Sequence, residues 1–294
     1  MRGTGQVVVD GVLVEGEAPA VSPLDMGFLH GDSLFTTMAV ASGRPVFWED
    51  HLARLRRSAE FFGYPPLPEG AILRADCLLA IESSPDPPSA LRLTLSRGRA
   101  PAAALDGVSE GVLRVVLPLF RPPLSLERLR EGGEAELFFL PWDPSGDPLR
   151  SHKTGNLLWA KWVRGQRQGS LAFEQLLVNG RGEILEGTIT SVFGVDRDGV
   201  LRTAPLEKGI LPGVMRGRIL DWARRQGRPV REEALRISEI PHLREIFLSS
   251  ATLPVRPLRT LQGVGEKTLF SPPFSVAMEY LEDYLAAVAS SLPT

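Results

Sequence analysis

Lysine is scarce in this chain. Only Lys153, Lys161, Lys208 and Lys267 occur, so 33 basic residues less these 4 leave 29 arginines. An arginine neither loses its proton nor forms an imine under cellular conditions, so amine chemistry has four side-chain candidates. Cysteine is scarcer still. The single Cys77 excludes an internal disulfide and any cysteine-rich metal site, and makes a reducing, cytoplasmic location the default expectation. Net charge is −2, which leaves no nucleic-acid footprint. No apolar run approaches the roughly 20 residues of a membrane helix, and Met1 to Asp10 lacks a signal-peptide core. The 29 glycines and 25 prolines form no low-complexity tract and read as turns.

What remains is an ordinary globular composition, 43% hydrophobic and 23% charged, long enough for one large or two smaller domains. Gln6 to Val14 places Asp10-Gly11 between two β-branched runs, a strong hairpin signal. Trp48 to Phe62 has apolar residues at helical spacing, with Glu49 and Asp50 in its first turn and Gly63 at its end. Ile72 to Ile81 reads as a second helix, Leu91 to Ser96 and Val112 to Leu119 as strands. After Pro-rich Arg121 to Leu126 come a strand (134–140), a loop (141–151) and a helix (157–168). Two hairpins follow, turning at Asn179 to Gly182 and at Asp196 to Gly199. Helices are predicted at 213–226 and 274–289, with a short buried strand between them at 245–249. The expected architecture is α+β: an N-terminal domain at 1–120, a linker at 121–133 and a larger C-terminal domain at 134–294.

Four segments carry candidate chemistry. Lys153 precedes Thr154-Gly155-Asn156 and an apolar helix, where the N-terminal dipole disfavours a cation and favours a neutral amine. Glu186 ends an alternating strand and is followed by small and hydroxyl residues. Gly213 starts a helix whose free N–H groups suit phosphate. Arg54 sits early in the helix that follows Trp48. Singly, each has an ordinary reading as a solvated side chain or a capped turn.

In order, these segments resemble the fold-type IV pyridoxal-phosphate enzymes, the class IV aminotransferase and aminodeoxychorismate lyase superfamily. The resemblance runs from about Val8 to Leu261. It includes Gly31-Asp32, Phe35-Thr36-Thr37, His51-x-x-Arg54, Ser96-Arg97-Gly98, Lys153 with Asn156, and Glu186-Gly187. Gly213-Val214-Met215-Arg216 and Ser249 to Thr252 complete it. It implies two α/β domains of the D-amino acid aminotransferase type with pyridoxal 5′-phosphate (PLP) as cofactor. Lys153 would hold the cofactor covalently and move the substrate proton. Glu186 would bind the pyridine nitrogen. Arg54, the amides of Val214 and Met215, and the turn Ser250-Ala251-Thr252 would hold the phosphate. Thr36 would assist near Lys153, and Phe28, His30, Arg97 and Arg256 would meet substrate. No metal is expected, and the partner implied is a second copy of the chain.

Within the superfamily, Leu158 stands where branched-chain aminotransferases carry tyrosine, five residues after the lysine. Ala102-Ala103-Ala104 stands where D-amino acid aminotransferases carry an Arg-x-His carboxylate trap. Phe35-Thr36-Thr37, Gly-Val-Met-Arg and the run Ala251 to Pro257 look like aminodeoxychorismate lyase. The expected reaction is conversion of 4-amino-4-deoxychorismate to 4-aminobenzoate and pyruvate. The alternative is a class IV transaminase acting on D-amino acids, branched-chain amino acids or amines; a non-catalytic small-ligand binder is more remote.

Overall fold

The computed structural model describes residues 5–99, 111–120, 125–167, 172–263 and 267–290. The Ala102 to Ala104 stretch, most of the Arg99 to Gly107 loop, and residues 121–124 of the predicted linker lie outside them. The chain divides into two compact units, Met1–Pro123 with Lys153–Leu157, and Leu124–His152 with Leu158–Thr294.

The N-terminal unit contains β1 (Gln6–Val9), β2 (Val12–Glu15), α1 (Met26–His30), β3 (Ser33–Ala41), β4 (Arg44–Pro45), α2 (Trp48–Phe61), α3 (Gly70–Glu82), β5 (Ala90–Ser96) and β6 (Leu113–Leu119). Its six-stranded sheet has the order β2-β1-β6-β5-β3-β4. The first hairpin forms as the Asp-Gly signal predicts, with positive φ at both Asp10 (49°) and Gly11 (83°). One sheet face carries Val8, Leu34, Met38, Leu91, Leu93, Leu95 and Val116, and packs with Leu52, Leu55 and Ala59 of α2 and Leu73, Cys77 and Ala80 of α3. Each such buried leucine contributes about 1.5–3 kcal/mol. Side chains alternate across a strand, so Phe35, Thr37, Arg92 and Thr94 occupy the opposite face, in register as Phe35↔Thr94 and Thr37↔Arg92.

The segment Lys153–Leu157 adds to this unit along β3. Phe35 N–H donates to the Lys153 carbonyl (2.9 Å), Gly155 N–H to the Ser33 carbonyl (2.8 Å), and Leu34 bridges Thr154. A side chain at Gly155 would put a Cβ 2.2 Å from Ser33 Oγ, so only glycine permits this approach.

The C-terminal unit contains α4 (Leu126–Glu131), β7 (Gly133–Phe139), α5 (Leu158–Gly165), β8 (Glu174–Val178), β9 (Glu183–Gly187), β10 (Ser191–Val195), β11 (Leu201–Thr203) and α6 (Val214–Arg225). It continues with β12 (Val230–Glu232), β13 (Leu235–Arg236), β14 (Glu245–Ser250), β15 (Leu253–Gln262), β16 (Lys267–Leu269) and α7 (Ser275–Ser290). Its sheet runs β12-β11-β10-β14-β15-β7-β8-β9-β13, with β16 on β15. An added pairing of β10 with β9, Ser191↔Glu186, closes β10, β14, β15, β7, β8 and β9 into a barrel-like ring. Glu186 therefore sits where the ring closes. Inside, Phe193 and Phe247 of the neighbouring β10 and β14 stack at 5.1 Å.

Two long strands were not predicted. β3 buries side chains on both faces near its start, which hides the period-2 alternation. β15 carries Pro254 and Pro257, residues that argue against a central strand. Pro254 falls at the register shift between β14 and β15, and Pro257 sits opposite Phe247.

Candidate active site

In the N-terminal unit the helical spacing of α2 places His51 and Arg54 one turn apart on its buried face. Both reach Thr36 on the facing side of β3. Arg54 Nη2 donates to Thr36 Oγ1 (2.8 Å), and Thr36 Oγ1 lies 2.6 Å from His51 Nδ1. With the hydroxyl accepting from Arg54, its own proton is available to His51. Thr36 is 0% exposed, His51 1% and Arg54 5%. Thr36, expected beside Lys153, is thus placed to orient Arg54. Its hydrogen bonds run to α2.

Arg54 is a buried cation whose Nε has no hydrogen-bond partner and which has no ion-pair partner among the described residues. Burial, and secondarily the neighbouring charge of Arg57, lowers its pKa to about 10, so it stays protonated at neutral pH. A buried guanidinium with unmet donors fits a phosphate.

Arg97 is different. Its Nε meets Asp32 Oδ2 (2.5 Å), Nη1 the Gly63 carbonyl (2.8 Å) and Nη2 the Phe62 carbonyl (2.7 Å). The guanidinium lies over the Tyr64 ring, whose hydroxyl donates to Asp32 Oδ1 (2.9 Å). Burial, then the Asp32 carboxylate, raises the Tyr64 pKa. With each of its three nitrogens bonded within the unit, Arg97 holds the unit together, whereas the family resemblance implies a place at substrate. Arg99 forms an isolated antiparallel β-bridge with Asp25 through its backbone. Phe28 and His30 lie on short α1, with Phe28 72% exposed.

Lys153 is half-buried, with Nζ 4.7 Å from the centroid of the Phe35 ring. Of the other lysines, which the sequence alone reads as solvated, Lys161 and Lys267 are exposed, and the partly exposed Lys208 pairs its Nζ with Glu183 at 2.7 Å.

In the C-terminal unit Glu186 is buried at the ring closure. Its Oε1 accepts from Arg150 Nη2 (3.1 Å) and its Oε2 from the Leu211 N–H (3.0 Å). Arg150 is steadied by the Trp159 ring, 4.0 Å away. A carboxylate oriented on both oxygens suits a pyridinium N–H. The following loop is pinned by Glu174, 0% exposed, which accepts from Thr188 Oγ1 (2.5 Å), Thr190 Oγ1 (3.0 Å) and the Ile189 N–H (3.2 Å). Sequence reasoning missed Arg150 and Glu174, because their partners lie 36 and 14 to 16 residues away.

Gly213 caps α6 with no side-chain cap hydrogen bond, so the N–H groups of Val214 and Met215 begin the helix with their dipole uncapped by the chain's own side chains. A Cβ at Gly213 would meet Ser191 Oγ at 2.9 Å. Ser250, Ala251 and Thr252 form the half-buried turn between β14 and β15. Arg256 lies further along β15, over the Phe173 ring (4.9 Å) and against Gly133, and burial lowers its pKa. It packs across the sheet away from that turn, rather than as the substrate ligand expected from sequence.

The N-terminal unit thus carries a half-buried amine and an arginine with unmet donors, and the C-terminal unit an oriented carboxylate and an uncapped helix start. Among the described residues no helix is long and apolar enough to cross a membrane, and no cluster of His, Cys, Asp or Glu could hold a metal.

The amino-transferase class IV family matches residues 33–261. A D-alanine aminotransferase of Bacillus licheniformis is 26% identical over 264 residues, covering 88% of this chain and 89% of its own. A bifunctional aminodeoxychorismate lyase / D-amino acid transaminase of Mycobacterium tuberculosis is 28% identical over 281 residues, covering 87% and 91%. A solved structure, a hypothetical aminotransferase from Mycobacterium tuberculosis in its PLP-bound form, superposes with TM-score 0.80 at 26% identity, covering 98% of this chain and 100% of that one. With its fold-type IV architecture and the match across most of its length, the chain belongs to the class IV aminotransferase family, whose cofactor is pyridoxal 5′-phosphate.

Proposed function

We propose that this chain is a PLP-dependent lyase that converts 4-amino-4-deoxychorismate to 4-aminobenzoate and pyruvate. The observation that carries the reading is Thr36. Many aminotransferases of this family resemble the chain here but carry glutamate, and in this chain a neutral hydroxyl lies fully buried against Arg54 and His51. Gly-Val-Met-Arg at 213–216 and the Ala251 to Pro257 run support the same reading, as does the similarity to a bifunctional lyase and transaminase.

The roles divide as follows. Lys153 would hold the cofactor through its amine, and the same amine would serve as the base that removes the C4 proton of the substrate. The C3–O bond then breaks, the ring becomes aromatic, and the enol leaving group takes up a proton as pyruvate. Bound PLP supplies the sink for the electron pair left at C4. Glu186, oriented by Arg150 and the Leu211 N–H, would bind the pyridine nitrogen of the cofactor. Arg54, the Val214 and Met215 amides and the Ser250 to Thr252 turn hold the phosphate. The balance needs no amino acceptor. The working form is a homodimer in the cytoplasm, and light scattering on the purified protein tests the dimer.

The second reading, a transaminase for D-amino acids, is favoured by the similarity to a D-alanine aminotransferase. One assay separates them. With 4-amino-4-deoxychorismate as sole substrate, the lyase yields equal pyruvate and 4-aminobenzoate. Amino transfer from a D-amino acid to a keto acid, with no pyruvate from that substrate, overturns the lyase. Lys153→Ala removes either activity by at least about 1,000-fold while circular dichroism is unchanged.

A further inference from the structure

Arg150 lies outside every motif that carries the family resemblance, yet it touches Glu186. It sits in the short turn Pro148–Ser151, capped by Asp147, whose Oδ1 accepts from the Leu149 N–H (2.9 Å). Its guanidinium is held on three sides. The centroid of the Trp159 ring lies 4.0 Å from it, the Gly209 carbonyl accepts from Nε (3.4 Å), and Glu186 Oε1 accepts from Nη2 (3.1 Å). The Arg150 and Glu186 side chains are 12% and 11% exposed, so the pair is mostly withdrawn from water and each charge depends on the other.

The segment that receives Arg150 also serves Glu186. Gly209 has a φ of 71°, and a Cβ there would collide with the Pro144 carbonyl, so glycine is what lets this turn pack on the loop that carries Arg150. Two residues on, the Leu211 N–H donates to Glu186 Oε2 (3.0 Å), and two further on Gly213 opens α6. Both carboxylate oxygens thus accept from the chain, one from a cation and one from a backbone dipole. Neither partner offers an acceptor in return, so both bonds are strongest to the anion, and such donors favour the ionised form. Against the cofactor's ring, one proton is shared between two bases, the Glu186 carboxylate and the pyridine nitrogen. On the nitrogen it makes the ring a strong electron sink; on Glu186 it leaves the ring neutral and a weaker one.

We propose that Arg150 is a positioning residue that keeps Glu186 an anion and so places the shared proton on the pyridine nitrogen of the cofactor, with Trp159 and the Gly209 carbonyl fixing the guanidinium. Arg150 has this role only if Glu186 has the one proposed above, in the lyase and the transaminase alike.

The test uses the holoenzyme loaded with PLP whose ring nitrogen is isotopically labelled, so that the nitrogen chemical shift in NMR reads the proton directly. Arg150→Gln keeps a donor for Glu186 and removes the charge; Arg150→Lys keeps the charge and removes the planar fork. Wild type is expected to show a protonated ring nitrogen, Arg150→Lys to keep it, and Arg150→Gln to move the signal toward the unprotonated position. In the catalytic assay Arg150→Gln should lower kcat at least about tenfold and change KM less than about threefold, because the sink acts on the reacting state and not on substrate binding. The melting temperature and the visible absorption of bound cofactor verify that each variant is folded and loaded. If Arg150→Gln does not load, Trp159→Leu, which frees the guanidinium without removing it, should move the signal the same way by less, and no movement there overturns the proposal. An Arg150→Gln signal equal to wild type overturns it, and Arg150 then only orients the carboxylate; an unprotonated ring nitrogen in wild type overturns it as well. Glu186→Gln separates the two roles. If it moves the nitrogen signal and Arg150→Gln does not, Arg150 loses its role and Glu186 keeps its own; if neither moves it, both fall.

Discussion

Arg54 and Arg97 belong to the same unit, and both lie in motifs that point toward a ligand. Their surroundings are opposite. Arg97 has donors on Asp32 and on two carbonyls, with an aromatic ring beneath it. Arg54 has one neutral hydroxyl and a buried Nε with nothing to bond. The first arrangement is complete within the protein. The second leaves a buried guanidinium nitrogen unmet, which is what supports the phosphate role proposed for Arg54. What distinguishes a ligand-binding arginine is therefore the inventory of acceptors around it, which motif spacing does not reveal.

The sharpest way to break this comparison is Arg54→Gln. Cofactor affinity should fall by about 100-fold or more, the worth of about 3 kcal/mol for a buried charge-assisted contact. Titration of the cofactor-free protein with PLP reads this directly, and an unchanged affinity would sink the phosphate role. Arg97→Met should act on the fold instead. It removes the counter-ion of Asp32, which keeps only the Tyr64 hydroxyl, and the donors to the carbonyls of Phe62 and Gly63. The pair is partly exposed, so the loss in urea unfolding should be about 2 kcal/mol, with PLP affinity changed less than threefold.

Thr36→Val comes next. It keeps shape and removes the hydroxyl between Arg54 and His51, for a loss of about 1–1.5 kcal/mol in stability and roughly tenfold in PLP affinity. A stability loss without any change in affinity would show that Thr36 does not orient Arg54. The smallest effect concerns Lys208 and Glu183, a completed pair like Arg97 with Asp32. The Lys208 hydrogen bond, above all, holds the Glu183 carboxyl below its ordinary value of 4.5. A depressed carboxyl stabilises the fold above its unfolded pKa, and the contribution is lost as pH falls through the folded one. Lys208→Met should therefore be about 0.5–1 kcal/mol less stable at pH 7, and the gap should close below about pH 4. A gap that persists in acid would assign the effect to packing of the lysine stem.

Much of this was legible beforehand for physical reasons. The Asp10-Gly11 turn, the apolar stripe of α2 and the hairpins at 179–182 and 196–199 are local signals, and they form as predicted. Lys153 stood out because lysine is scarce. The illegible parts depend on partners far along the chain. Asp32 lies 65 residues from Arg97, and Arg150 lies 36 from Glu186. Arg92 reads in an alternating strand as a solvent-facing charge. Only its contact with the Phe35 ring, and the placement of Lys153 on the same ring, show otherwise.

One further consequence belongs to the short excursion Lys153–Leu157. Because Phe35 and Ser33 clamp its backbone, the reactive amine is part of the N-terminal sheet although 29 residues of the other unit, Leu124–His152, precede it. A fragment ending before residue 153 would lack this added partner of β3 as well as its lysine. Heating that frays β3 would also release the amine's anchor. The yellow of bound cofactor should then fade with the melting of the N-terminal unit, making colour a thermometer for one half of the molecule.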